Sequence, residues 1–317
     1  MRDNPLGDRA SRPAAVFSPN DTPPGEPLPL VLYLPGWGGS SVDAIREGQS
    51  GWLGQVVDHL AAEGEALRLV VPDSRSRYGG TQYLNSTATG QYADYTAEEV
   101  VGAVNARYAL AKDAPVGLIV AGHSSGGYGA LLLGIARHER FQAIVALSPD
   151  SDFATTHKPM TEQPSVLALT PADLGRAMAP AGSARIPKDG LAAYILGLCA
   201  NYAPCLDEPG RCEWLYTADG QWRPEVWQRW LDVDPLVIAQ RHTDAFAPSQ
   251  RIYLDGAAHD EYGANIGARK IFDTIRNRLA SAAFYEPPGA HVDHLPERLA
   301  RGLEWVFGLP TCDIGAK

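Results

Sequence analysis

At 317 residues, 45% of them hydrophobic and 20% charged, the chain has an ordinary globular composition and enough length for a sizeable core. Its net charge of −10, with no Lys/Arg cluster to interrupt the acidity, argues against nucleic acid as a partner. No apolar stretch approaches a membrane span, and Met1-Arg2-Asp3-Asn4-Pro5 does not read as a signal peptide. The expected location is therefore the cytoplasm, or outside it if a leader has been trimmed.

Taken in chain order, short β-branched or leucine-rich runs alternate with longer helical patterns. The strands are expected over 14–18, 30–34, 67–72, 116–122, 141–148, 251–256 and 282–286. The helices are expected over 51–63, 96–111, 125–140, 263–280 and 294–307. Such alternation implies an α/β fold, a mostly parallel sheet covered by helices on both faces. The continuous apolar run Leu30-Val31-Leu32-Tyr33-Leu34 suits a strand buried on both sides.

The alternation stops over 152–249, which carries scattered prolines, three of the four cysteines and Trp214, Trp222, Trp227 and Trp230. This stretch reads as short helices and loops inserted between two core strands, a cap within a single domain spanning 1–317. Cys205 and Cys212 are the simplest pair for a loop-closing disulfide, but reduced thiols are the expectation for Cys199, Cys205, Cys212 and Cys312. No C-x-x-C or histidine pair completes a metal site, so no metal is expected.

The most informative segment is Gly122-His123-Ser124-Ser125-Gly126, a G-x-S-x-G between a buried strand and a helical run. A serine in that sharp turn projects its hydroxyl from the sheet's end, and the free N–H groups of the helix start lie behind it. Ser124 is the expected nucleophile. A serine hydroxyl needs a base to take its proton and a carboxylate to orient that base. Asp260 lies just beyond the strand at 251–256 and His291 on the loop after the strand at 282–286, in the order serine, acid, histidine. Asp255 and Glu261 compete for the acid role, and Asp260 also fits a helix N-cap. His294 competes with His291 but falls at the start of the last helix. His123 is expected to pack rather than react.

The oxyanion hole would use the N–H of Ser125 and that of Trp37, in Leu34-Pro35-Gly36-Trp37-Gly38-Gly39-Ser40. Trp37, Gln82, Tyr83 and Asn85 are the expected substrate-binding residues.

These segments resemble the α/β-hydrolase esterases that include esterase D, S-formylglutathione hydrolase, enterochelin esterase, feruloyl esterases and mycolyltransferases. The likeness spans nearly the whole chain. Asn4 to Asp8 through Val16 to Pro19 is similar to that group's N-terminal hairpin, and Tyr33 to Gly39 to its oxyanion loop. Gly79 to Ser86 is similar to its active-site mouth, Leu254 to Glu261 to its acid loop, and Gly289-Ala290-His291 to its Gly-x-His. Many members have His-Gly where this chain has Pro35-Gly36. The resemblance implies an α/β-hydrolase fold and a serine carboxylic-ester hydrolase acting on a small-molecule ester without metal or organic cofactor. Acyl transfer by the same triad, or a non-catalytic binding protein on the same fold, are the alternatives.

Overall fold

A computed structural model describes residues 4–111, 114–279 and 281–311. Seven strands form the sheet: β1 (Ala14–Phe17), β2 (Leu30–Leu34), β3 (Arg68–Pro72), β4 (Leu118–His123), β5 (Ala143–Leu147), β6 (Arg251–Asp255) and β7 (Ser281–Tyr285). Their order is β1-β3-β2-β4-β5-β6-β7, with β1 antiparallel to β3 and every other pair parallel. All seven expected strands form, with ends shifted by a residue or two at most places. The N-terminal hairpin does not: β1 takes β3 as its partner, while Asn4 closes a turn through the Gly7 amide.

Strand alternation sends Leu30, Leu32 and Leu34 to one face with Val120, Ile144 and Leu254, and sends Val31 and Tyr33 to the other with Ile119, Val145 and Tyr253. Both faces are covered, so the strands show none of the apolar/polar alternation of a half-solvated sheet. Helices α1 (Ser41–Glu47), α2 (Trp52–Ala62), α3 (Ser125–Ala136), α4 (Gly190–Tyr202), α5 (Ala264–Ile275) and α6 (Leu295–Phe307) matter most to the site. α2 and α6 cover the second face, whereas α3 and α5 bury leucines and isoleucines on the first.

The helices depart from the expected set at several places. α1 lies outside the expected set, yet Ser40 caps it, accepting from the Asp43 amide while donating to the Asp43 carboxylate. The helix expected over 96–111 begins earlier, at Tyr92–Asp94, passes through a π-turn at Tyr95–Val100 and ends as Val101–Arg107. α3 stops at Ala136, and α5 at Ile275, short of the expected bounds 140 and 280; residue 280 lies outside the described residues.

Between β5 and β6 no strand of the sheet intervenes. The chain forms Phe153–Thr156, Lys158–Thr161, Pro164–Leu167, Pro171–Ala177, α4, Pro224–Leu231 and Pro235–Arg241. Most of these helices supply a third apolar cluster, built on Phe153, Tyr202, Trp214 and Trp230. Cys199, Cys205 and Cys212 carry free thiols; Cys312 lies outside the described residues. Among the described residues no helix is long and apolar enough to cross a membrane.

Candidate active site

The sheet reverses direction of growth between β2 and β4, since β3 lies on the far side of β2. In open α/β sheets the crevice at the strands' carboxyl ends opens at such a point. Here it holds Gly36 at the end of β2 and Ser124 at the end of β4. Ser124 adopts φ 58° and ψ −124°, a conformation that side chains other than glycine rarely take. The turn is held by the Ser124 amide donating to Leu147 O at 3.0 Å and the Asp150 amide donating to Ser124 O at 3.3 Å. A Cβ on Gly122 would lie 2.2 Å from Gly126 O, and one on Gly126 would lie 1.8 Å from Leu34 O. Those two glycines let strand, turn and α3 pack at backbone distance, which is why they flank the serine.

The loop after β6 carries Asp260 and the loop after β7 carries His291. His291 Nδ1 lies 2.7 Å from Asp260 Oδ2, and the imidazole side chain is 6% exposed against 0% for the carboxylate. Asp260 Oδ1 accepts from the Tyr262 amide at 3.0 Å and the Ala264 amide at 3.3 Å. Gly263, not Asp260, is the N-cap residue of α5, so Asp260 meets that helix only through its first amide. Burial alone would raise its carboxyl, but the hydrogen bond and charge of His291, with hydrogen bonds from Ser148 and Tyr262, outweigh that and hold it below 3.8.

His291 is fixed through its backbone as well. Its amide donates to Glu261 Oε2 at 2.9 Å, while its carbonyl accepts from His123 Nε2 and Arg298 Nη1, each at 2.9 Å. Glu261 is therefore a backbone tether. Asp255 is fully buried and pairs with Arg298 instead of an imidazole. His294 sits in a left-handed turn before α6. Burial, then the nearby charges of His291 and Arg298, push His123 down to about 3, so it is neutral beside His291 at physiological pH.

A cavity of about 780 Å³ opens on these groups, lined by Gly36, Trp37, Ser124, Asp150, Tyr194 and His291 among others. Ser124 Oγ donates to Asp150 Oδ1 at 3.4 Å, a long hydrogen bond. Neither the Trp37 nor the Ser125 amide donates to a protein acceptor among the described residues. The Trp37 indole stands edge-on to Tyr194, ring centres 4.9 Å apart, and presses on Gly80 and Gly197.

The other expected pocket residues are placed differently. Gln82 is buried behind the site, where its Nε2 donates to Ser125 Oγ at 3.0 Å. Tyr83, at φ 56°, turns its ring under Gly129 and donates to Pro35 O at 2.6 Å, supporting the loop from below. Asn85 is exposed and accepts from the Asp94 amide at 3.2 Å. Neither Tyr83 nor Asn85 lines the cavity.

Sequence reasoning passed over Asp150, His157 and Tyr194. Asp150 follows β5 directly, and its position at a strand's carboxyl end was the available signal. Its Oδ2 accepts from Ser125 Oγ at 2.8 Å and from Tyr194 OH at 3.3 Å; that hydroxyl also meets His157 Nε2 at 3.3 Å. Burial lowers His157 and raises Tyr194 well above 10.0, so both are neutral at physiological pH.

The fold and the elbow define an α/β-hydrolase. Residues 9–285 match the Esterase family model, and the chain belongs to that family. Solved structures share the fold at low identity. An S-formylglutathione hydrolase from Agrobacterium tumefaciens superimposes with TM-score 0.57 at 17% identity, covering 93% of this chain and 88% of that one. A ferulic acid esterase gives 0.55 at 17% identity, covering 95% and 93%. Fluorophosphonate-binding serine hydrolase F of Staphylococcus aureus gives 0.53 at 15% identity, covering 93% and 98%.

Proposed function

We propose that the protein is a serine carboxylesterase acting on a small-molecule ester through an acyl-enzyme. The observation that carries this reading is the enclosed 2.7 Å His291–Asp260 pair facing the cavity into which the strained Ser124 turn opens. Ser124 Oγ swings from Asp150 toward His291, which takes its proton as the oxygen attacks the ester carbonyl. Asp260 holds the imidazole's tautomer and stabilises the imidazolium. The N–H groups of Trp37 and Ser125, unclaimed by other acceptors among the described residues, receive the oxyanion. His291 then returns its proton to the departing alcohol, and next activates the water that releases the acid. Neutral His123 suits this cycle, because a second cation 4.5 Å from the imidazole would oppose its protonation. The helices within 152–249 act as a cap, with Tyr194 and His157 reaching the cavity from it.

The test combines a fluorophosphonate probe with p-nitrophenyl esters from acetate to decanoate. Labelling at Ser124 and acid release are expected, and both should vanish in Ser124→Ala and collapse in His291→Ala. Failure of the folded protein to label would overturn the reading.

A further inference from the structure

The esterase mechanism leaves Asp150 unused, although its carboxylate hydrogen-bonds directly to the nucleophile. The side chain is buried, with the residue 9% exposed, and it lines the cavity. One oxygen is committed: Oδ2 accepts from Ser125 Oγ, itself oriented by Gln82, and from Tyr194 OH. That clamp turns Oδ1 toward the cavity, where its partner is the Ser124 hydroxyl at 3.4 Å, a hydrogen bond that breaks once Ser124 turns to react. Glu261 is the second carboxylate on the wall, and among the described residues no Lys or Arg lines the cavity. A fixed negative charge so near the nucleophile opposes the oxyanion that attack creates. A neutral substrate leaves that opposition in place, whereas a positive charge on the substrate cancels it where the transition state needs it.

Resting on the esterase reading, we propose that the site selects esters bearing an ammonium group within a few bonds of the carbonyl. The cation sits on Asp150 Oδ1 in the cavity that Trp37 and Tyr194 also line. The 3.4 Å separation of Asp150 Oδ1 from Ser124 Oγ sets the short span between ammonium and carbonyl. Both an amino-acyl portion and an amino-alcohol portion present this chemistry, and paired isosteres separate them.

The experiment measures kcat/KM by acid release at about pH 6.5, where an α-amino group with a value near 7.7–8.0 is protonated. Choline butyrate is compared with 3,3-dimethylbutyl butyrate, and alanine ethyl ester with ethyl 2-methylpropanoate. At least one cationic ester should exceed its neutral isostere about tenfold or more, the size of a single partly desolvated charge contact. In Asp150→Asn that ratio should fall to about one. Ratios at or below one for both pairs in the wild-type chain overturn the proposal, as does a ratio that survives Asp150→Asn. Where none of the four is turned over, fluorophosphonate labelling carries the test. Tetramethylammonium should slow it in the wild type; labelling without such protection overturns the proposal, while no labelling at all overturns the esterase reading beneath it.

Discussion

Arg298 grips Asp255 with two prongs, Nε to Oδ2 at 2.9 Å and Nη2 to Oδ1 at 2.8 Å, with neither side chain exposed to solvent. The same guanidinium donates to Ser148 Oγ at 2.7 Å and to the His291 carbonyl. Two carboxylates five positions apart thus have separate duties, one bracing the floor of the site and one facing the imidazole. Asp255→Asn strands a buried cation and should cost about 3–5 kcal/mol, read as a lower denaturant midpoint. Asp260→Asn keeps an oxygen for the Tyr262 and Ala264 amides, so the fold should survive while kcat falls by about 10⁴. The reverse pattern would reassign the acid.

Acid should weaken the fold from about pH 6.5 downward, because the unfolded chain protonates His123 while the buried ring stays neutral. Its value drops from 6.5 in the open chain to about 3 in the fold. The stability this supplies is therefore complete above 6.5 and is lost as pH falls toward 3. At pH 5 the loss is about 2 kcal/mol. Asp260 adds a second loss, confined to pH below 3.8, since its carboxyl is held lower in the fold than in the open chain. Urea melts of His123→Gln across pH 7 to 5 should show a flatter slope than the wild type. Equal slopes would remove His123 as the source.

Ser124→Gly should stabilise the protein as it abolishes turnover. Relief of the strained backbone at φ 58° contributes about 1–3 kcal/mol, offset in part by glycine's greater freedom when unfolded. A net gain of about 1 kcal/mol, seen as a Tm higher by a few degrees, is the expected outcome. A lower Tm would mean the hydroxyl contributes more to folding than the turn costs.

The Trp37 indole is boxed in by Gly197 of α4 and by Gly80. A Cβ at position 197 would stand 2.3 Å from Trp37 Cη2. Gly197→Ala should cost about 1–3 kcal/mol by overpacking. It should also lower kcat/KM for p-nitrophenyl esters by about tenfold, because the displaced ring shares a residue with the Trp37 amide. Unchanged kinetics would show that the loop holds its amide independently of the indole.

How much of this was legible in the sequence depended on locality. The elbow was readable because Gly122, Ser124 and Gly126 encode one turn, and the close backbone approaches leave no other residue type possible at the two glycines. The positions of Asp260 and His291 were readable because each follows an apolar run that ends at the sheet's carboxyl edge, where the structure brings the two side chains together. Tyr83 and Asn85 were misplaced because a positive φ at Tyr83 redirects the chain, a feature without a residue signature when the residue is not glycine. Asp150 and Tyr194 escaped because their meeting depends on how α4 folds back over the sheet, a long-range packing outcome. The π-turn at Tyr95–Val100 was equally invisible, since its apolar spacing still fits an α-helix.

His123 and the carbonyl of residue 291 stand 168 positions apart, yet a single hydrogen bond links them. A nascent polypeptide that has completed β6 but not β7 therefore has the segment of the elbow but lacks His291, the proposed general base. Chemical competence should arrive last in biogenesis, when the final strand docks at the sheet's margin. During refolding, recovery of turnover should lag behind recovery of helical signal, in step with that distant closure.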